Sequence, residues 1–94
     1  SRRVGVDIEY RSDRIRRIAS RFLRPDESAG STDDLLTCWC VKEAVYKLRS
    51  ASHLAYDQMR VHLDTATADD LLAADSLSFG REITADYVLV WTSE

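Results

Sequence analysis

Residues 39–47, Trp39-Cys40-Val41-Lys42-Glu43-Ala44-Val45-Tyr46-Lys47, decide how the rest of the chain is organised. Apolar residues recur through this segment and just before it at the spacing of a helix with one wide buried stripe. The predicted stripe consists of Leu35, Leu36, Trp39, Cys40, Ala44, Val45 and Leu48. Ser31 or Thr32 is a suitable N-cap, because its side-chain oxygen can accept from a free backbone N–H group. The pattern therefore predicts a central helix over residues 31–49.

A short strand is predicted over residues 3–9, where apolar residues alternate with others. Val4, Val6 and Ile8 share one face of that strand, and we expect this face to pack against the core. Asp7 and Glu9 would then project together from the opposite face. They form either a solvated strand surface or a pair of ligands.

The remaining segments predict one further helix and three further strands. The helix is expected at residues 12–23, with Ser12 as its N-cap and Pro25 just beyond its end. The strands are expected at residues 58–63, 76–83 and 87–92, with a loop or a short helix at residues 64–74. This order of elements predicts an α+β fold in which a small antiparallel sheet packs on the long central helix, within a single domain over residues 1–94.

Charge is unevenly distributed along a chain whose net charge is only -3. Six arginines lie between Arg11 and Arg24, against one acidic residue. On the predicted first helix, Arg14, Arg17 and Arg21 share one side. They form either a solvated basic face or a docking surface for an acidic partner. The mildly acidic composition argues against nucleic acid as that partner.

The cysteine spacing and the lengths of the apolar runs indicate in which cellular compartment we expect the protein. Cys38 and Cys40 are two apart on the predicted helix, where side chains do not face each other, so we expect reduced thiols of a cytoplasmic protein. The sequence contains no secretory signal pattern and no apolar run of membrane-spanning length, so we expect no membrane association. The start at Ser1, almost directly before a strand, leads us to expect a fragment or a domain separated at its boundary.

Charged residues of the strand and the central helix suit a site for a divalent cation and a phosphate. Mg²⁺ is bound by carboxylates, waters and substrate phosphates, and Asp7, Glu9 and Glu43 can supply the carboxylates. Lys42 and Lys47 can neutralise phosphate as point charges. Each residue also has a plainer explanation. Acids on a strand are usually solvated, and a glutamate one helical turn before a lysine is a common surface ion pair.

Two stretches resemble the signature motifs of the 4'-phosphopantetheinyl transferase superfamily. Gly5-Val6-Asp7-Ile8-Glu9 resembles the motif G-V/I-D-x-E, and residues 39–47 resemble W-S/C/T-x-K-E-A/S-x-x-K, with every fixed position met. Between them, Arg16-Arg17-Ile18-Ala19-Ser20-Arg21-Phe22 is similar to a helix of the family that contains I-A-x-R-F. The clear resemblance runs from Val4 to Lys47.

The resemblance implies an enzyme that moves the 4'-phosphopantetheine arm of coenzyme A to a serine of an apo acyl or peptidyl carrier protein, with Mg²⁺ as cofactor. Such carriers serve fatty-acid, polyketide or nonribosomal-peptide synthesis. By motif position, Asp7, Glu9 and Glu43 would bind Mg²⁺, and Glu43 would also be the base for the serine. Lys47 would contact the transferred phosphate, and Lys42 would contact the nucleotide phosphates.

The resemblance also suggests how the protein meets its partners. Arg14, Arg17 and Arg21 would contact the acidic face of the carrier. The chain corresponds either to the second half of a two-lobed member, without its N-terminal lobe, or to a short holo-acyl-carrier-protein synthase-like member that forms homo-oligomers. Residues 76–80 lack the histidine that the short type has near its C-terminus. A non-catalytic module that binds carrier proteins is the alternative.

Overall fold

The computed structural model of the protein describes residues 3–94. These residues form five strands, two helices and two single-turn 3₁₀ helices. The strands are β1 Val4–Tyr10, β2 Met59–His62, β3 Thr67–Asp70, β4 Asp75–Ile83 and β5 Tyr87–Ser93. The helices are α1 Arg14–Phe22 and α2 Thr32–Leu48, and the 3₁₀ turns are Ser50–Ser52 and Tyr56–Gln58. The predicted α+β class is confirmed.

The strands form one antiparallel sheet in the order β1-β5-β4-β3-β2. The central helix α2 packs on one face of this sheet, chiefly against β1 and β5, and α1 packs against α2. Burial on α2 extends beyond the predicted stripe, since Thr37, Cys38, Val41 and Lys42 are buried as well. The sheet and the elements around α2 therefore cover this helix on more than one side.

The helix ends follow local hydrogen bonding. The Ser31 side chain accepts from the Asp34 backbone N–H group at 3.0 Å, which confirms the predicted N-cap of α2. The helix α1 spans Arg14–Phe22 within the predicted residues 12–23, with Asp13 rather than Ser12 at its N-cap position, and that position makes no side-chain cap bond. Among the described residues, no helix has both the length and the apolar character needed to cross a membrane.

The strand β1 turns the face opposite to the predicted one toward α2. Val4, Val6 and Ile8 are 59%, 48% and 44% exposed, so the expectation that they face the core is wrong. Gly5 is buried instead, because α2 passes directly over it. A Cβ atom at Gly5 would lie 2.2 Å from the carbonyl oxygen of Ala44. The side chains of the same strand face, including Asp7 and Glu9, therefore lie toward α2.

The strand β3 lies in the segment predicted as a loop or a short helix, so that prediction is wrong. Its sequence, Thr67–Asp70, has little intrinsic strand preference, and it becomes a strand because it pairs with β2 on one side and β4 on the other. Asp70 at its end is 2% exposed. Its carboxylate accepts from Arg49 at 2.7 Å and from the backbone N–H groups of Leu72 and Ala73. These donors compensate the burial of the charge.

Candidate active site

An ion pair joins the two motif-bearing segments, β1 and α2. The Lys47 ammonium lies 2.7 Å from Asp7 Oδ1 and also donates to the carbonyl oxygen of Val6 at 3.2 Å. The Asp7 side chain is 12% exposed, whereas that of Lys47 is 53% exposed. Gly5 makes this contact possible, because its missing side chain lets β1 and α2 approach closely. The structure thus brings together one acid and one lysine of the predicted site.

Asp7 also carries a buried acceptor without a hydrogen-bond partner. Its second oxygen, Oδ2, is the one buried side-chain polar atom among the described residues that lacks a hydrogen-bond partner. Burial and the neighbouring negative charge of Asp7 raise the pKa of the Cys40 thiol. An unpaired buried carboxylate oxygen is costly in the free protein. It suits a hard cation, which prefers carboxylate oxygen.

Glu9 and Glu43 flank this position on different elements. Glu9 lies beside a small pocket between β1, α1 and α2, whose lining includes Arg14 and Trp39. Glu43 Oε1 accepts a hydrogen bond from the hydroxyl group of Tyr56 at 2.9 Å. Within residues 3–94, no three His, Cys, Asp or Glu residues are close enough to hold a metal ion. The chemistry of the predicted acids fits Mg²⁺, and their side chains must move for all of them to bind one ion.

Lys42 is buried and does not fit its predicted contact with nucleotide phosphates. Its side chain is 0% exposed. The ammonium donates to the carbonyl oxygen of Phe22 at 2.5 Å, to Glu27 Oε1 at 2.6 Å and to the carbonyl oxygen of Tyr56 at 3.1 Å. These contacts use all three ammonium donors. This motif lysine therefore serves the internal structure, and its ammonium group is not accessible to a nucleotide phosphate.

Glu27, the partner of Lys42, has a buried side chain that the sequence did not indicate. Its side chain is also 0% exposed. Besides Lys42, it accepts from the backbone N–H groups of Arg24 and Val61, each at 2.7 Å. It lies in a segment of turn-forming residues, where a lone acid gives no signal of burial. The sequence feature that indicates such an acid is the motif lysine, because a buried ammonium group needs a counter-charge.

Tyr56 is the second residue that the sequence analysis missed. Its ring packs at 5.6 Å from that of Trp39, which in turn makes an edge-to-face contact with Phe22 at 5.4 Å. Burial and the hydrogen bond to Glu43 raise the pKa of Tyr56 to about 12. Tyr56 also lines a cavity of about 360 Å³, together with Glu43, Tyr46, Leu54 and Ala55. The Glu43 carboxylate therefore accepts a hydrogen bond from Tyr56, and Glu43 lines the cavity.

The basic face predicted on α1 is present in the structure. Arg14, Arg17 and Arg21 are all exposed. Their neighbour Arg16 instead donates a hydrogen bond to the side chain of Thr32 at 3.1 Å. The three exposed guanidinium groups are available to a partner, since they lie outside the core that α1 forms with Ile15 and Phe22.

Comparison with known proteins identifies the family. The family model that matches residues 3–91 is that of the 4'-phosphopantetheinyl transferase superfamily. No curated protein and no solved structure matches the chain significantly. The matched region spans nearly all of the 94 residues and includes both motif segments, which the fold packs against each other. The chain belongs to the 4'-phosphopantetheinyl transferase superfamily.

Proposed function

We propose that this protein transfers the 4'-phosphopantetheine arm of coenzyme A to a serine of an apo acyl or peptidyl carrier protein in a Mg²⁺-dependent reaction, in which the pyrophosphate bond of coenzyme A breaks and adenosine 3',5'-bisphosphate leaves. The proposal rests on the contact between the two motif-bearing segments, β1 and α2. There the ion pair between Asp7 and Lys47 leaves Asp7 Oδ2 buried and without a partner. A buried anionic acceptor beside a half-exposed ammonium group supports binding of a cation together with a phosphate.

In this proposal Asp7, Glu9 and Glu43 bind the ion. When bound, Mg²⁺ would neutralise phosphate charge at the reacting centre. Lys47 holds Asp7 in place and adds a second positive charge for the transferred phosphate. Glu43 accepts the proton of the attacking serine, because its carboxylate adjoins the cavity through which a serine can approach. Positioning and charge compensation supply most of the catalysis in such a transfer.

The exposed arginines of α1 supply the surface for the carrier protein. Arg14, Arg17 and Arg21 are exposed, and α1 packs directly against the helix that carries Glu43. Electrostatic attraction between a basic face and an acidic carrier raises the association rate and favours the correct partner. The proposed docking helix α1 therefore packs against the helix that carries the proposed base.

The test is the intact mass of an apo carrier protein after incubation with this chain, Mg²⁺ and coenzyme A. The wild type is expected to add the mass of one phosphopantetheine arm. Glu43→Ala and Asp7→Ala are each expected to abolish the gain. Glu82→Ala is the matched control, since Glu82 is an exposed glutamate of β4, a strand that β5 separates from β1. A gain that persists in Glu43→Ala would overturn the assigned roles.

The same assay separates an enzyme from a binding module. A module that only docks carriers would bind the apo carrier through α1 and leave its mass unchanged, with and without Glu43→Ala. A half-enzyme would begin to load the carrier when an N-terminal lobe is supplied, and a homo-oligomer would load it alone. We propose one of these two assemblies because an apolar sheet face is exposed on this chain.

A further inference from the structure

Two neighbouring residues of α2 contact the same residue of the 3₁₀ turn Tyr56–Gln58. The Lys42 ammonium donates to the backbone carbonyl oxygen of Tyr56 at 3.1 Å. The Tyr56 hydroxyl group donates to Glu43 Oε1 at 2.9 Å. One end of the tyrosine is thus tied to the buried lysine, and its other end is tied to the proposed base.

The tyrosine ring between those two ends is also held in place. It packs against Trp39 at a centroid distance of 5.6 Å, and Trp39 packs edge to face on Phe22. The lysine that holds the backbone is paired with Glu27, and both side chains are 0% exposed. The hydroxyl group cannot move far without disturbing this buried pair or the aromatic contacts. Its position relative to Glu43 is therefore set by the core.

A fixed hydroxyl donor has a defined effect on a carboxylate. It restricts the rotation of the carboxylate group through a charge-assisted hydrogen bond. A carboxylate has two oxygens, so a bond to Oε1 leaves Oε2 for a cation or for the proton of a nucleophile. Glu43 and Tyr56 both line the same cavity, so a ligand in that cavity can reach the carboxylate group.

We propose that Tyr56 is the positioning residue for Glu43, and that the buried Lys42–Glu27 pair holds Tyr56 for this purpose. This inference rests on the proposed function, in which Glu43 is a metal ligand and a base. Tyr56 does not itself touch the reacting atoms. It sets the orientation with which Glu43 meets the ion and the serine.

The first measurement asks whether the hydrogen bond exists in solution, and it does not depend on activity. Tyr56→Phe keeps the ring and the backbone carbonyl and removes the hydroxyl group. We expect it to lower the melting temperature by about 4 °C or more, as for the loss of one hydrogen bond in a domain of this size. In a Glu43→Ala background the same change is expected to have no effect. Equal effects in both backgrounds would overturn the inference.

A second tyrosine–glutamate contact provides the matched control. The Tyr87 hydroxyl group donates to Glu82 at 3.4 Å between strands β5 and β4, and neither residue belongs to the proposed site. Tyr87→Phe makes the same chemical change in a contact that has no proposed role. We expect it to leave carrier loading and Mg²⁺ dependence at wild-type values.

The second measurement asks whether the hydrogen bond serves the reaction. For loading of an apo acyl carrier protein, Tyr56→Phe is expected to lower kcat about tenfold and to raise the half-saturating Mg²⁺ concentration. The KM for coenzyme A is expected to stay within about twofold, because the hydroxyl group acts on Glu43 and not on the nucleotide. A purely structural role would lower the active fraction without changing the Mg²⁺ requirement. An unchanged kcat and Mg²⁺ requirement would overturn the inference.

Failure of the proposed function would give a different result. If the wild type loads neither an acyl nor a peptidyl carrier, the proposed function falls. Calorimetric titration of Mg²⁺ in the presence of coenzyme A then decides the inference. Weaker binding by Tyr56→Phe than by the wild type and Tyr87→Phe supports it. Equal binding by all three proteins, or no binding by the wild type, overturns it.

Discussion

At the residue scale, Lys42 shows how a motif position can serve the interior. Its ammonium and the Glu27 carboxylate are fully buried, and backbone carbonyl and N–H groups satisfy their remaining hydrogen-bonding capacity. Such a pair compensates its own desolvation only while both partners are present. The pair also joins the loop before α2, the turn Tyr56–Gln58 and β2 to the central helix.

Removal of one partner of this pair should destabilise the fold strongly. Lys42→Met is expected to lower the free energy of unfolding by about 3–5 kcal/mol, because Glu27 remains buried without its counter-charge. The double variant Lys42→Met with Glu27→Gln should recover part of this loss, since the uncompensated charge is gone. Chemical denaturation followed by circular dichroism measures both. A Lys42→Met protein as stable as the wild type would contradict a buried pair.

The partly buried carboxylate of Asp69 on β3 predicts how the stability of the protein changes in acid. Burial favours the protonated form of Asp69, but hydrogen bonds from His62, Ser76 and Arg60 outweigh it and lower the pKa from 3.8 to about 2. A depressed carboxyl pKa contributes stability that is present above pH 3.8 and is lost as the pH falls toward 2. Thermal unfolding across this interval should show the loss, and Asp69→Asn should make the curve flatter. An identical pH dependence in the variant would refute this assignment.

At the element scale, the contact of β1 with α2 depends on one missing side chain. A Cβ atom at Gly5 would meet backbone atoms of Ala44, which cannot rotate away. Gly5→Ala is therefore expected to push α2 off β1 and to lower the stability by about 1–3 kcal/mol. Gly30→Ala is the control, since a Cβ atom there has nothing within 4 Å. The melting temperatures of Gly5→Ala and Gly30→Ala measure the difference in stability. Equal values would argue against the close approach of β1 to α2.

The helix α1 should act through its charge. Arg17→Glu reverses one exposed charge and is expected to raise the KM for the carrier protein several-fold while kcat stays within about twofold. High salt should weaken wild-type loading and reduce the difference between the two proteins, because exposed charges are screened. Initial rates at low and high ionic strength measure this. A variant with an unchanged KM at low salt would mean that the carrier docks elsewhere.

At the scale of the whole molecule, the sheet has one covered face and one exposed face. Val6 and Trp91 are partners across β1 and β5, and they are 48% and 44% exposed. The Trp91 ring lies over Gly80, where a Cβ atom would be 2.3 Å from it. Val4 and Ile8 extend this apolar surface along β1. A contiguous patch of this kind usually marks an interface.

The exposed face predicts concentration-dependent association of the chain. Sedimentation velocity should show a rising average mass with concentration for the wild type. Val6→Lys should keep the chain monomeric, because a charge in the middle of the patch would have to be desolvated. Its melting temperature should be close to that of the wild type, since Val6 does not contribute to the core. A wild type that stays monomeric at high concentration would leave a second lobe as the cover of this face.

Local spacing was sufficient to determine several features of this protein. The helix α2, its cap at Ser31, the α+β class and the two motifs with Asp7 and Glu43 all follow from residues close together in the chain. Helical periodicity, capping and motif spacing depend on residues that are close in the sequence, so they can be recognised without knowledge of the fold.

Tertiary structure alone decided the rest. Alternation in β1 defines two faces but cannot say which one α2 covers, and the close approach at Gly5 decides that. The strand β3 exists because its neighbours pair with it. The contacts of Lys42 with Glu27 and of Glu43 with Tyr56 join residues from different elements, and neither contact follows a local spacing rule. Burial and long-range pairing arise when the chain folds, so the partners of the motif residues become visible only in the folded molecule.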